Sequence, residues 1–359
     1  MRNRHDAIKK AGIYSWTIIG LVILAVGLSY ALYIIRLAVI PLLFAVAIAL
    51  ILGPFIDFMD RRLPKFLAIM IAYLVVAGIF FLLFFFGIPA IVKQFQEFLD
   101  RLPDYISNLV DFLNNIVMDL PVMGQYEFFP LEAEALNQYL LDQLSQQDSN
   151  IFRDILGFTN ILIDIILILI IGPLLSIYLV KDSKRFKMTV LRVTPERKRK
   201  EAEEIMSRIS RIAGRYLRGR LLIAFIFGIM VYIGLFLLGI EFSYLFAFFA
   251  AISTLIPFFG ALVGALPAVI AAFLVSPLTP LWVILLFVGL QLLENYIIEP
   301  FVMKEQIDLH PGLIIISIIA GSAAFGVIGL ILSVPLAAVL QELLRYFLFE
   351  KRESGKISC

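Results

Sequence analysis

The sequence predicts an all-α membrane protein that crosses the bilayer several times. Of the 359 residues, 61% are hydrophobic and only 16% are charged, and the mean hydropathy is +0.97. A soluble domain carries apolar residues at roughly half of its positions and charges at roughly a quarter. The apolar residues are also gathered into long runs between charged segments. We therefore exclude a water-soluble fold and expect about eight helical segments.

The N-terminal part, residues 1–92, contains three apolar runs, at 16–35, 37–56 and 66–92. About 20 apolar residues are enough for a helix to cross a bilayer. Because the second run begins directly after the first, we interpret 16–35 as a retained helix rather than a cleaved signal peptide. This part therefore predicts three transmembrane helices.

Two polar segments of opposite charge follow, separated by a fourth predicted span at 158–180. Residues 93–157 contain three basic and eleven acidic residues, whereas residues 181–220 contain fourteen basic and five acidic residues. Short cytoplasmic loops are enriched in Lys and Arg. We therefore expect 181–220, the N-terminus and the tail at 350–359 to be cytoplasmic, and 93–157 to lie outside.

Both polar segments have apolar residues at helical spacing, which predicts amphipathic helices. We expect the helix in the basic segment to lie along the inner membrane surface, with Arg215, Arg218 and Arg220 among the residues that face anionic head groups. An equally good interpretation is a solvated helix that only fixes the topology.

Residues 221–349 form the predicted transport core. Its apolar runs lie at 221–240, 244–275, 281–298 and 313–349. The second run would be about 48 Å long as a helix at ~1.5 Å per residue, which exceeds a ~30 Å hydrocarbon core. Pro257, Gly260, Gly264 and Pro267 interrupt it. A broken or re-entrant helix is favoured, and two kinked spans with a tight turn are the alternative.

The last run repeats this pattern. Phe258, Phe259 and Gly260 precede Gly264 and Pro267, and in the same way Phe325 and Gly326 precede Gly329 and Pro335. Paired segments that Gly and Pro interrupt indicate the substrate site of a transporter. We therefore expect the two turns to approach each other and to form the transport pathway.

A polar face lies between these two segments. Gln291, Glu294 and Asn295 are three or four residues apart, so they share one side of a helix. A carboxylate within the membrane is by default a functional candidate, and Glu294 could carry a proton or bind a cation. The alternative is a solvated carboxylate near the helix end. His310 and Asp164 are weaker candidates for a proton relay, since helix entry is the favoured interpretation of His310 and an interfacial position that of Asp164.

Several function classes are excluded by what the sequence lacks. There is no Gly-rich phosphate loop with its lysine, which argues against an ATP-driven pump, and no HExxH or GxSxG motif. Cys359 is the only cysteine and the last residue, so neither thiol catalysis nor a cysteine metal cluster is expected. A net charge of +2 offers no argument for nucleic acid. We expect neither an enzyme nor a cofactor or metal.

The chain resembles a known family of membrane proteins. The segments that carry the resemblance are Arg215-Tyr216-Leu217-Arg218-Gly219-Arg220, Ile256-Pro257-Phe258-Phe259-Gly260, Gln291 with Glu294, Leu309-His310-Pro311, and Phe325-Gly326 with Val334-Pro335-Leu336-Ala337. In this order they are similar to the signature of the autoinducer-2 exporter family of bacterial membrane proteins. The resemblance is strongest over 181–349 and absent from the acidic segment.

The resemblance implies re-entrant elements, a homo-oligomer that is thought to be a pentamer, and an elevator-like movement. It implies export of autoinducer-2, sodium or lithium/proton antiport, or a permease-like activity. We expect a secondary transporter of the bacterial cytoplasmic membrane, with a small polar solute or a monovalent cation as its substrate and the lipid bilayer around it. The alternative from another class is a non-transporting assembly protein whose charged segments recruit partners.

Overall fold

The computed structural model describes residues 36–110, 168–257, 260–303 and 309–346, and also Gly20 and Gly27. Within these ranges, positions 102, 106, 109, 169 and 274 are not described. Every regular element in these ranges is a helix. Five helices there are long and apolar enough to cross a membrane. The predicted all-α polytopic membrane fold is confirmed. Nearly all of the run at 16–35, most of the acidic segment and the tail lie outside the described residues.

The first described helices are α1 (Arg36–Asp60), α2 (Lys65–Leu82), α3 (Ile88–Asp100) and α4 (Ile170–Lys181). Of these, α1, α2 and α4 pack together as a small bundle. A π-helical turn at Leu83–Gly87 joins α2 to α3. Ile56 of α1, Ala68 of α2 and Val180 of α4 are buried together in one cluster. This bundle holds two chain segments at its basic end, where Lys65 Nζ donates a hydrogen bond to the backbone oxygen of Lys181.

The next two helices contain the basic segment. Helix α5 spans Ser183–Val193, and α6 spans Arg199–Leu237. With 39 residues, α6 is about 58 Å long, and it passes position 220 without a break. The sequence had suggested a separate helix along the membrane surface. The helix instead continues, because the buried face that includes Tyr216 runs on through Ile223 and Phe227.

The interrupted run at 244–275 folds into a helical hairpin, which we call the first hairpin. Its limbs are α7 (Ser243–Thr254) and α8 (Gly260–Ala272). A Cβ added at Gly260 would lie 2.0 Å from Thr254 Oγ1, and one at Gly264 would lie 2.5 Å from Ala250 Cβ. Glycine is therefore required for the limbs to pack this closely. The limbs are only about 18 and 20 Å long.

A long apolar helix leads away from the first hairpin. Helix α9 covers Thr279–Leu293 and passes through a π-helical turn at Glu294–Ile298 into the short α10, Glu299–Met303. Together they form one of the five helices that could cross a membrane. The π turn contains the carboxylate that the sequence singled out.

The last helix, α11 (Pro311–Arg345), bends back on itself at Gly326, where φ is 61° and ψ is −142°. A Cβ added at Gly321 would lie 2.8 Å from Ser333 Cβ. In a straight helix residues twelve positions apart are about 18 Å from each other, so the two limbs lie side by side. We call this element the second hairpin. Its limbs, 311–325 and 327–345, are about 22 and 28 Å long.

Helix α6 packs against both hairpins and α9. Its C-terminal half, with Phe227, Val231 and Leu235, is buried in the largest cluster with the first hairpin and α9. Its middle carries Leu217, which packs with Leu332 of the second hairpin. Since α6 contacts both hairpins, it fixes their places relative to each other.

Helix α3 covers the open end of the first hairpin. Arg101 forms an ion pair with Glu241, and Gln94 Oε1 accepts a hydrogen bond from the backbone N–H of Leu245 at 3.1 Å. Tyr105 is fully buried there, and burial, aided by Glu241, raises the pKa of its hydroxyl to about 12. Tyr105 therefore stays neutral at physiological pH, and the cover depends on packing rather than on a tyrosinate.

Candidate functional site

The central feature of the site is a buried pair of opposite charges. Arg220 Nη1 of α6 lies 3.4 Å from Glu294 Oε1 in the π turn, and the two side chains are only 6% and 3% exposed. A buried carboxylate is costly unless a partner compensates it. From the sequence Glu294 has no evident partner, whereas the structure supplies one from a helix 74 positions earlier in the chain.

The predicted polar face of α9 is formed. Gln291 Nε2 donates hydrogen bonds to Glu294 Oε2 at 3.4 Å and to Asn295 Oδ1 at 3.1 Å. The three side chains thus form one row that runs from the exposed Asn295 to the buried Glu294. The π turn widens the helix at this point, and such bulges are frequent at functional sites. The row connects the buried pair with the surface.

Two buried polar atoms at this site, one on Tyr216 and one on Arg220 itself, lack a hydrogen-bond partner within the described part of the chain. Tyr216, one turn before Arg220 on α6, has its hydroxyl buried, and neither this hydroxyl nor Arg220 Nε has a hydrogen-bond partner among the described residues. Glu299 of α10 is close enough to interact electrostatically with both Tyr216 and Glu294. The site therefore combines two carboxylates, one guanidinium and a hydroxyl.

Residues of both hairpins belong to one apolar cluster next to this site. Ile256 of that turn belongs to one apolar cluster with Tyr216 of α6 and with Ile318 and Val334, which lie on opposite limbs of the second hairpin. At the bend itself, a Cβ at Gly326 would have no described atom within 4 Å. The two hairpins thus contribute to one apolar cluster around Tyr216, and the meeting of the two tips stays a prediction.

The two interrupted segments have the same layout in three dimensions. Gly260 and Gly326 lie at the two bends, and Gly264 and Gly329 follow in the returning limbs. Gly264 packs on Ala250 and Gly329 packs on Gly321, each in the preceding limb. The remaining predicted pathway residues also belong to the bends or limbs: Pro257, Pro267, Phe325 and Pro335. Phe258 and Phe259 lie outside the described residues.

The two limbs of the second hairpin line a groove of about 650 Å³. Ser317 and Gly321 line it from the first limb, and Ser333 and Gln341 from the second. The groove is therefore mainly apolar, with a few hydroxyl and amide groups. Such a composition is typical of sites for small ligands.

The basic residues predicted for the membrane surface occupy three different environments. Arg215 is exposed, Arg218 donates a hydrogen bond to the backbone oxygen of Leu50 in α1, and Arg220 is buried with Glu294. The placement of Arg220 at the membrane surface is therefore corrected. The helical spacing already indicated that Arg220 is buried, because Arg220 follows Tyr216 by four positions and therefore lies on the apolar side of the helix.

The two weaker candidates do not join this site in the described residues. His310 caps the second hairpin, with its Nδ1 accepting a hydrogen bond from the N–H of Gly312 at 3.1 Å. Asp164 lies outside the described residues. Within those residues there is also no group of three or more His, Cys, Asp or Glu side chains that could hold a metal ion.

Comparison of the sequence with known proteins assigns the chain to a family. The sequence model described as "AI-2E family transporter" matches residues 21–349. The chain belongs to this family. The match covers most of the predicted first span, both hairpins and the Arg220–Glu294 pair, so the AI-2E family resemblance found in the sequence is confirmed over almost the whole chain.

Named relatives of this AI-2E family protein are similar over most of their length. "Putative transport protein YrrI" of Bacillus subtilis is 27% identical over 89% of this chain and 89% of its own. "Putative transport protein YueF" of the same organism is 27% identical over 84% and 82%. "Putative permease PerM" of Escherichia coli is 26% identical over 84% and 85%. Two of these relatives are thus named as transport proteins and the third as a permease.

Proposed function

We propose that the protein is a secondary transporter of the bacterial cytoplasmic membrane that exports a small polar solute such as autoinducer-2 by an elevator-like movement. One observation carries this proposal: two helical hairpins with limbs shorter than the ~30 Å hydrocarbon core precede and follow α9 in the chain, and both pack on α6, which carries the Arg220 partner of Glu294. Hairpins of this kind end inside the membrane. Irregular backbone at that depth is tolerated where it lines a cavity.

The distribution of charge supports a particular orientation. The end that carries Lys65 and Lys181 is basic, so it is placed in the cytoplasm. The opposite end carries the Arg101–Glu241 pair and is placed outside. Helix α6 then runs outward and α9 runs inward. The first hairpin enters from outside and the second from the cytoplasm, as inverted repeats would, and both chain ends are cytoplasmic.

In this proposal the Arg220–Glu294 pair couples or gates transport. A buried ion pair is weakly stabilising as long as both charges are present, and it becomes costly when one of them is neutralised. A proton or a cation that reaches Glu294 along Gln291 and Asn295 would release Arg220. This same observation favours the second candidate function, sodium or lithium/proton antiport.

We extend the proposal to a homo-oligomer, and by the family resemblance to a pentamer. The second hairpin supports this extension, because a smaller share of it is buried than of any of the other four long apolar helices in the described residues. Several of its apolar residues, among them Ile315, Ile319 and Val327, are exposed. Lipid or a second subunit covers such a surface in the membrane.

Reconstitution into liposomes tests the proposal. Vesicles with the purified protein are loaded with autoinducer-2, and efflux is compared with that from protein-free vesicles. In parallel, sodium or lithium gradients are imposed while a fluorescent dye reports the internal pH. Solute efflux supports export, and cation-driven pH change supports antiport. If neither flux exceeds the protein-free control, the non-transporting assembly protein is the better description and both proposals fail.

A further inference from the structure

A second site lies at the basic end of the small bundle, away from the hairpins and from Glu294. Helices α2 and α4 enclose a groove of about 480 Å³ there. Lys65, Phe66 and Met70 line it from α2, and Ile177, Tyr178 and Lys181 line it from α4. From Lys65 to Tyr73, the last groove residue on α2, the groove follows the helix for about 12 Å.

The two lysines stand together at one end of this groove. Lys65 is the first residue of α2 and Lys181 the last of α4, and the Lys65 ammonium is held by its hydrogen bond of 3.2 Å to the Lys181 backbone oxygen. Each ammonium group has three N–H donors. Neither lysine forms an ion pair with a carboxylate among the described residues, so donors and positive charge remain available.

The remaining lining of the groove is mainly apolar, and part of it is exposed to the surroundings of the protein. Phe66 is 70% exposed, Met70 48% and Tyr178 62%. Aromatic side chains next to lysines are typical of the membrane–water interface, where rings lie at head-group level and ammonium groups extend toward water. Acyl chains are therefore in reach of the apolar part, and phosphate groups are in reach of the lysines.

A neighbouring groove differs from this one in that its lysine is paired with a carboxylate. It has about 640 Å³, lies on the other side of α4 and shares Tyr178 with the first groove. Its lysine, Lys187, is already paired with Glu203 at 2.6 Å. Positive charge in the second groove is thus compensated within the protein, whereas in the first groove it is not.

We infer that the groove between α2 and α4 binds one phospholipid with an anionic head group, its phosphate on Lys65 and Lys181 and its acyl chain along Phe66 and Met70. Basic pockets between transmembrane helices on the cytoplasmic side are suited to such lipids. Lipid bound there joins two helices that the chain connects only through the acidic segment. The site is independent of what the protein transports.

Native mass spectrometry of the purified full-length chain in detergent tests this site. The protein is titrated with phosphatidylglycerol and with phosphatidylcholine of the same acyl chains. We expect one phosphatidylglycerol to bind at least tenfold more tightly than phosphatidylcholine. The double substitution Lys65→Gln with Lys181→Gln should weaken phosphatidylglycerol binding at least fivefold, since it removes both ammonium groups.

Two further variants distinguish a defined lipid site from a general attraction of lipid to positive charge. Lys187→Gln removes a positive charge from the neighbouring groove and should leave the affinity within twofold. Met70→Trp keeps every charge but fills the apolar part, and it should weaken binding at least threefold. The monodispersity and thermal unfolding midpoint of each variant show that it is folded.

Three results would overturn the inference. The first is an equal loss of affinity in Lys187→Gln, which would mean that overall charge attracts the lipid. The second is unchanged affinity in the double lysine variant or in Met70→Trp. The third is displacement of the lipid by millimolar inorganic phosphate, which would indicate a site for free phosphate.

Discussion

Glu294 and Arg220 are each held in place by the other's charge. Both side chains are almost completely buried, and the carboxylate is contacted from two helices, by Arg220 of α6 and Gln291 of α9. Removing one member of a buried pair leaves an uncompensated charge, at a cost of about 3–5 kcal/mol. A substitution at this site therefore changes stability as well as any proton or cation chemistry.

At the residue scale, we predict that Glu294→Gln lowers transport at least tenfold, equivalent to about 1.4 kcal/mol in the barrier, and abolishes its pH dependence. The substitution should also lower the thermal unfolding midpoint in detergent, because Arg220 loses its charged partner. Adding Arg220→Met removes the remaining charge, so it should restore most of the midpoint while transport stays low. Liposome flux and thermal unfolding measure the two effects separately.

Glu97→Gln, at an exposed position on α3, is the matched control and should change neither quantity. If the double variant Glu294→Gln with Arg220→Met transported at the parental rate, the pair would be structural only. Normal flux in Glu294→Gln alone would lead to the same conclusion.

The second hairpin depends on one backbone conformation. At Gly326, φ of 61° and ψ of −142° lie in a region that is almost restricted to glycine. A side chain there costs about 1–3 kcal/mol even though the Cβ position is open. The close packing of Gly329 on Gly321 then keeps the limbs together.

At the element scale, we therefore predict that Gly326→Ala lowers the thermal midpoint and reduces transport. Gly289→Ala is the matched control, because Gly289 lies in regular helix with open space around its Cβ position. That change should be neutral or stabilising by about 0.5–1 kcal/mol, since alanine is the better helix former. Equal midpoints for the two variants would show that the bend at Gly326 is not required.

The whole molecule has two distinct ends. Lys65 and Lys181 meet at one end, and Arg101 and Glu241 meet at the other. Helices α2 and α6 both begin on the side of the basic end, and the chain after each reaches the Arg101–Glu241 end, so the two helices run in the same direction. The basic end is the one expected in the cytoplasm.

At the scale of the whole molecule, we predict that a membrane-impermeant maleimide applied to intact cells leaves Cys359 unlabelled. In a background without that cysteine, Asp100→Cys should be labelled, because the proposed topology places the end of α3 outside. Lys184→Cys should react only after the membrane is made permeable. Labelling of Cys359 or Lys184→Cys from outside would invert the topology.

The sequence by itself determined the fold class and the places where helices are interrupted. Composition excludes a soluble protein, because 61% hydrophobic residues exceed what a water-exposed surface tolerates. Gly260 and Gly326 mark the two bends because glycine permits close approach and positive φ. Spacing alone also placed Gln291, Glu294 and Asn295 on one helical face, where the structure has them.

Only the tertiary structure decided what these features contact. Helical periodicity describes the face of one helix and not the neighbour against which that face packs, so it could not pair Arg220 with Glu294 across 74 positions. For the same reason the basic segment suggested a surface helix, although α6 continues inward and buries Arg220. The return of the second hairpin depends on Gly321 lying against Gly329 and Ser333. Such contacts form between two limbs, so the residue pattern of one limb does not predict them.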